Sequence, residues 1–295
     1  MALSSHQVIG RVVAVHGRHY LVEVDGERVE CVTRGKKGGV ACNDRVQIRY
    51  TGPAAGVIEA CLPRDNLLWR SDEYRSKLLA ANVDRVVVVT AAVPTPRAEL
   101  LIRCLVAAEA AGIDALIVVN KADLPETADY LARLRAYAEL GYAVIPLCAK
   151  QDVGPLLPWL TGRTSVLVGA SGVGKSTLVN ALFPDARAET AEVSAALDSG
   201  RHTTTHTRLY PLPGGGAIID SPGMQAFGLR HLNLAQLQAA FPEFRRLAGQ
   251  CRFHDCRHLK EPDCAVLAAV RSGHIMPERW RVYRDLVQEN SQAGY

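Results

Sequence analysis

The chain has 295 residues, too many for one small core and suited to two or three domains, and 48% of them are hydrophobic, an ordinary share for a globular protein. No apolar run reaches the ~18 residues that a membrane-spanning helix needs, and the start, MALSSHQVIGR, lacks the basic and apolar regions of a secretory signal, so the expected location is the cytoplasm, with no membrane partner. The net charge of +4 is unevenly spread: residues 1–65 carry nine Lys/Arg against seven Asp/Glu, 230–295 ten against seven, and 66–229 fifteen against sixteen, which suits end domains touching nucleic acid around a neutral core.

Residues 7–61 predict five short strands, QVIGRVVAV, HYLVEV, RVECVT, DRVQIRY and GVIEACL, rich in Val and Ile and separated by turn residues. Asp25-Gly26 between two alternating runs is a hairpin signal. Five strands in so short a stretch suggest a barrel of the OB type, with an SH3-like barrel as the alternative. The loop RGKKGG (34–39) is basic and glycine-rich; it either follows a phosphate backbone or is simply solvated. Residues 62–80 have no clean period and read as a connector.

From residue 84 strands alternate with helices. VVVVTAA, IDALIVVN, YAVIPL and SVLVG read as buried strands, with RAELLIRCLVAAEAAG and ETADYLARLRAYAELG as helices between them. Continuous apolar strands interleaved with helices predict a parallel sheet covered on both faces, with ligands at the carboxyl ends of its strands. After about 230 the chain becomes helical and polar around a crowd of cysteines.

Gly169-Ala170-Ser171-Gly172-Val173-Gly174-Lys175-Ser176 fits G-x-x-x-x-G-K-[ST] at every position, after a strand and before the helical run that begins Ser176-Thr177. Its backbone N–H groups would wrap the β- and γ-phosphates, Lys175 would reach them, and the Ser176 hydroxyl would ligate Mg²⁺. Asp220 and Gly223 give D-x-x-G at the end of the strand AIID: the carboxylate supports Mg²⁺ through its water, and the Gly N–H senses the γ-phosphate. Asn120-Lys121-Ala122-Asp123 matches N-K-x-D. A carboxylate at Asp123 accepts hydrogen bonds from guanine N1–H and the 2-amino group, a pair that adenine cannot offer. Cys148-Ala149-Lys150 resembles S-A-K, where the Ala149 N–H would meet guanine O6. The base motifs precede the phosphate motifs, the reverse of the usual order. The simplest cause is circular permutation, which makes the segment after Asp220 lead directly into the C-terminal region.

Cys251, Cys256, His258 and Cys264 follow C-x₄-C-x-H-x₅-C, and three thiolates with one imidazole make a closed, structural Zn²⁺ site; His254 is a rival ligand whose spacing does not match. Arg252, Arg257, Lys260, Arg271, Arg279, Arg281 and Arg284 near it would face phosphates or solvent.

This layout resembles the circularly permuted, small-ribosomal-subunit-dependent GTPases of the RsgA (YjeQ) family. GRHTTTHTRLY (200–210), IIDSPGMQAFGL (218–229) and CRFHDCRHLKEPDC (251–264) carry the likeness, which covers nearly the whole chain. The expected fold is therefore multi-domain α/β: an OB-type barrel at 1–66 that binds RNA, a permuted P-loop GTPase at 67–229, and a helical zinc-binding domain at 230–295. The resemblance implies a monomeric enzyme that binds GTP and GDP, contacts the small subunit and its rRNA, and hydrolyses GTP during late maturation of that particle. Met224 stands where many GTPases place the water-orienting Gln; in the family that position is also apolar, and His202 matches a histidine considered as its replacement, or else packs or touches RNA. One of Thr203, Thr204 and Thr205, with Thr204 or Thr205 favoured, is expected to join Ser176 on Mg²⁺. Gly172 stands where some permuted GTPases have an Asn that helps them use K⁺.

Overall fold

A computed structural model of the chain describes residues 7–34, 39–71, 76–184, 207–221 and 227–291. The five expected N-terminal strands form as β1 (Gln7–His16), β2 (His19–Val24), β3 (Glu27–Thr33), β4 (Arg45–Gly52) and β5 (Ala55–Cys61). Asp25 and Gly26 make the β2–β3 turn, both at positive φ (50° and 85°), as a tight hairpin turn requires. The strands join in the order β1-β2-β3-β5-β4, and β4 returns to pair with β1, which closes a barrel of the OB type. Alternate residues point inward: Val12, Val22, Val29, Val46, Ile48 and Ile58 fill a core of the barrel's own.

Residues 62–80 are not merely a connector. They contain an antiparallel hairpin, β6 (Leu67–Ser71) and β7 (Ser76–Ala81). Leu68, Leu79, Ala80 and Ala81 give it a buried apolar side. Its far end is fastened to the barrel: Ala81 N donates to Cys42 O at 2.9 Å, and Asn43 Nδ2 donates to the carbonyls of Ala81 and Asn82, both at 2.9 Å.

Beyond the hairpin lie β8 (Arg85–Ala91), α1 (Ala98–Ala110), β9 (Asp114–Asn120), α2 (Thr127–Glu139), β10 (Ala143–Pro146), α3 (Leu157–Leu160), β11 (Arg163–Val168), α4 (Lys175–Leu182), β12 (Thr207–Pro211) and β13 (Gly216–Asp220). The sheet order is β10-β9-β8-β11-β13-β12, parallel except for β12. All seven β8 residues are buried because alternate side chains serve two layers. Val86 and Val88 face α1 and α2, whereas Val87 and Val89 pack with Leu160 and Leu178 on the opposite side. Strand β12 was not foreseen as a strand. It pairs with β1 (Ala14 with Arg208, Val15 with Thr207), so one sheet runs from the parallel strands into the barrel.

The C-terminal region consists of short helices at Leu234–Ala239, Pro242–Arg245 and Ala265–Arg271, then a long one at Pro277–Ser291. The long helix is clamped to α1 and α2. Glu289 accepts two hydrogen bonds from Arg103 of α1, and Glu278 accepts one from the Tyr137 hydroxyl of α2. Arg279, read above as facing phosphate or solvent, is fully buried: its guanidinium forms two hydrogen bonds to Glu243 (2.5 and 3.0 Å) and lies over the rings of Tyr137 and Phe241. Two planar groups that match bidentately, flanked by aromatic faces, offset the desolvation of both charges. Arg279→Met, which strands the Glu243 carboxylate, should cost about 3–5 kcal/mol in urea unfolding, and adding Glu243→Leu should recover most of that loss.

Candidate nucleotide-binding and metal sites

The predicted nucleotide residues that lie among the described ones stand at the carboxyl ends of β9, β10, β11 and β13. The turn Gly169–Gly174 leaves β11 and enters α4, so Lys175, Ser176 and Thr177 sit on the first turn of that helix with Ser176 exposed. Lys175 is buried, and its ammonium donates to the carbonyls of Gly169 and Ala170, both at 2.8 Å. Burial lowers its pKa, an effect opposed by the carboxylate of Asp220. Burial pushes the Asp220 carboxyl up to about 6, and the Lys175 charge works against that. The Lys175 and Asp220 charges thus act on each other where hydration is poor, so each gains from a counter-charge brought by a ligand.

Asn120 is the hinge between the two motif groups. Its Nδ2 donates to Val173 O in the phosphate turn at 2.9 Å, and its Oδ1 accepts the Ala149 N–H at 2.9 Å. The turn approaches so closely that a Cβ on Gly174 (φ 95°) would strike the Asn120 amide. Lys121 adds a second tie, its ammonium donating to Gly172 O and Val93 O at 2.8 Å each. The Ala149 N–H, expected from the sequence to meet guanine O6, is therefore engaged; it reaches a base oxygen only by sharing its proton with Asn120. Asp123 is exposed at the rim, and its carboxyl lies below the usual carboxylate range, chiefly through the neighbouring Cys148 thiol. Lys150 is exposed next to Ala149. His202, Thr204, Thr205 and Gly223, together with Met224, lie outside the described residues.

The four predicted metal ligands also meet. One ligand atom from each of Cys251, Cys256, His258 and Cys264 lies within 4.8 Å of the others, with His258 Nδ1 3.4 Å from Cys264 Sγ and 3.6 Å from Cys251 Sγ. His254 stays exposed and is not part of this group. The cluster is braced from outside: Trp280 Nε1 donates to His258 O, the Tyr283 hydroxyl donates to Arg257 O, and Glu261 accepts from three backbone N–H groups, which holds its pKa down to about 2. Burial pushes the Cys256 thiol up to about 12. Three sulfurs and one imidazole, crowded and partly desolvated, form a donor set that fits a tetrahedral divalent ion, which lets the thiols ionise.

The RsgA GTPase family model matches residues 61–230. The small ribosomal subunit biogenesis GTPase RsgA of Neisseria meningitidis serogroup B is 51% identical over 280 residues, covering 95% of this chain and 91% of that protein. The protein of the same name from Nitrosomonas europaea is 52% identical over 284 residues, covering 95% and 90%. This chain belongs to the RsgA GTPase family. It is a GTP hydrolase, and its sheet is that of the permuted members: the crystal structure of YjeQ from Thermotoga maritima superposes with a TM-score of 0.73 at 31% identity, covering 97% of this chain and 99% of that one. YloQ, described as a circularly permuted GTPase, gives 0.70 at 27% identity.

Three features of the site were not read from the sequence. The Asn120 bridge needs β9 and β11 brought to one end of the sheet on either side of β8, and the Lys121 tie needs the 92–97 loop folded over the phosphate turn. The influence of Cys148 on Asp123 had a signal in the sequence, since a small donor precedes Ala149 in S-A-K. Asp123→Asn should weaken GTP binding and admit xanthosine triphosphate, because an amide prefers a base carbonyl; nucleotide titration of both variants checks this. Asn120→Ala should weaken GTP and GDP alike, since it unties the phosphate turn from the base loop.

Proposed function

We propose that the protein binds the small ribosomal subunit, acts in its late maturation, and hydrolyses GTP to GDP and phosphate with stimulation by that particle. The observation that carries this reading is the Asn120 bridge, which unites permuted base and phosphate motifs in a chain 51% identical to a named small-subunit biogenesis GTPase. Asp123 selects guanine, with Asn120, Lys121, Cys148, Ala149 and Lys150 shaping its surroundings. The backbone of Gly169–Thr177 and the Lys175 ammonium hold the phosphates. Ser176, with Thr204 or Thr205, would hold Mg²⁺, which Asp220 would support from the end of β13, and Gly223 would sense the γ-phosphate. Mg²⁺, when bound with GTP, would supply neutralisation of the phosphate charge. His202 orients the attacking water, since Met224 has no polar group for that task.

The chain divides into a barrel at 1–66 that grips rRNA, a GTPase at 67–229 and a C-terminal domain at 230–295 that holds one Zn²⁺ on Cys251, Cys256, His258 and Cys264. The enzyme acts as a monomer in the cytoplasm. Communication between GTPase and C-terminal domain is supported by the bonding of residues 227–232, which follow D-x-x-G: Arg103 of α1 donates to Phe227 O, and Asn290 of the last helix donates to the carbonyls of Leu229 and Leu232.

The intrinsic rate should be low, on the order of that of an unassisted small GTPase, ~10⁻⁴ s⁻¹, and should rise by powers of ten with purified small subunits. His202→Ala should lose most of the stimulated turnover while keeping GTP affinity and subunit binding. Equal turnover with and without subunits would overturn the stimulation. Elemental analysis should find one Zn²⁺ per chain, lost in Cys256→Ser together with thermal stability of the C-terminal region, since site formation contributes folding free energy.

A further inference from the structure

Residues 228–231 follow D-x-x-G by a few positions, and one residue of the hairpin grips that stretch. Ser71, the last residue of β6 and buried, makes four hydrogen bonds there. Its N–H donates to Gly228 O at 3.0 Å, its carbonyl accepts from Arg230 N at 3.3 Å, and its hydroxyl both accepts from His231 N and pairs with His231 Nδ1, each at 2.9 Å. The first two are the bonds of a strand pair and would form with alanine in its place. The last two use the side chain and fix the plane of an imidazole. Burial pushes the His231 pKa down to about 4, so near neutral pH the ring is uncharged, and it lies stacked on Trp69 at 3.9 Å between centroids. A buried hydroxyl bonded at two points to one residue resists displacement, because losing a partner leaves a desolvated group uncompensated.

The other end of the hairpin is fastened to the barrel. Ala81, which pairs with Leu67 at the start of β6, donates to Cys42 O, and the side-chain amides of Asn43 and Asn82 donate to each other's main-chain carbonyls at 2.9 and 3.1 Å. Four steps of strand, ~13 Å, separate Leu67 from Ser71. The barrel already holds the chain beyond Thr203–Thr205 through the β1–β12 pair; the hairpin gives it the chain beyond Gly223 as well. Gly223 stands four residues before Phe227, which is buried, and five before Gly228, which Ser71 holds. We infer that Ser71 is a positioning residue for stimulated GTP hydrolysis: its hydroxyl, bonded to His231, makes the hairpin a strut through which the barrel sets the place of the chain that leads away from Gly223.

The inference rests on the small-subunit reading above, and the test separates the two. GTP turnover of the full-length parent, Ser71→Ala, His231→Phe and the double variant is measured without subunits and over a series of concentrations of purified small subunits. Phenylalanine keeps a ring to stack on Trp69 and loses the bond to the hydroxyl. Each single variant should lose about fivefold to tenfold in stimulated kcat, the scale of one or two hydrogen bonds. Unstimulated turnover and the subunit concentration giving half-maximal stimulation should stay within about twofold of the parent's. The double variant should lose no more than either single one, since both remove the same bond. In protein carrying 5-fluorotryptophan, the Trp69 resonance, identified by its absence from Trp69→Phe, should differ between GDP and a non-hydrolysable GTP analogue in the parent and coincide in Ser71→Ala. A parent that subunits do not stimulate overturns the small-subunit reading and the inference with it. A stimulated parent matched by Ser71→Ala overturns the inference alone, as does a Trp69 resonance indifferent to the nucleotide in the parent. Equal losses with and without subunits would make Ser71 merely structural, and losses that multiply in the double variant would separate Ser71 from His231; either result also overturns it.

Discussion

The Asn120 carboxamide fixes the distance between the two halves of the nucleotide site. One side of it accepts from the loop after β10, and the other donates to the turn after β11. Neither loop has regular structure to hold it, and the two are far apart in sequence. A buried amide satisfied at both ends is worth more than either bond alone, since losing one partner leaves a desolvated group without compensation. Gly174 is the counterpart of this arrangement: the amide stands where a Cβ would be. Guanine selection and phosphate binding are thereby made into one rigid surface. Cutting the chain elsewhere leaves that surface unchanged, which is why a permuted order of motifs is compatible with the same chemistry.

What the permutation does alter is the bracing around the site. Residues 227–232 are held from three directions: by Arg103 of α1, by Asn290 of the last helix, and by β6 of the hairpin, where Ser71 N donates to Gly228 O at 3.0 Å and Trp69 stacks on His231 at 3.9 Å between ring centroids. The C-terminal helix is itself pinned to α1 and α2 through Glu289 and Glu278. Residues 227–232 thus have little freedom to shift without moving one of their partners. Such a shift would be felt both in the zinc-binding region and, through the hairpin, at the barrel loop around Cys42.

Much of this was legible in the sequence, for identifiable reasons. The barrel strands alternate Val and Ile with polar residues, and Asp25-Gly26 marks a turn that few other residues make. The phosphate turn, N-K-x-D and the Cys/His group are local patterns whose chemistry fixes residue type and spacing. The hairpin at 67–81 was missed because WRSDEYRSK is polar; its strand character comes from Leu68 and Leu79 packing on distant elements and from Ser71 pairing with residues 228–231. Strand β12 was missed because TRLYP is short and ends in proline, and its neighbours on both sides come from elsewhere in the chain. Arg279 was misread because nothing nearby in sequence announces Glu243, Tyr137 and Phe241, the groups that make its burial tolerable.

The pairing of β1 with β12 has a consequence for biosynthesis. Without β1, β12 would be the free edge of a six-stranded, largely parallel sheet, and exposed edges template pairing with other chains. Parallel sheets form slowly, and unpaired edges in half-folded intermediates are where aggregation begins. Here the covering strand belongs to a small barrel with its own core, encoded some 190 residues ahead of the strand that it protects. As the chain leaves the ribosome, the barrel is complete long before Thr207 emerges, so the last strands of the sheet arrive at an edge that is already covered.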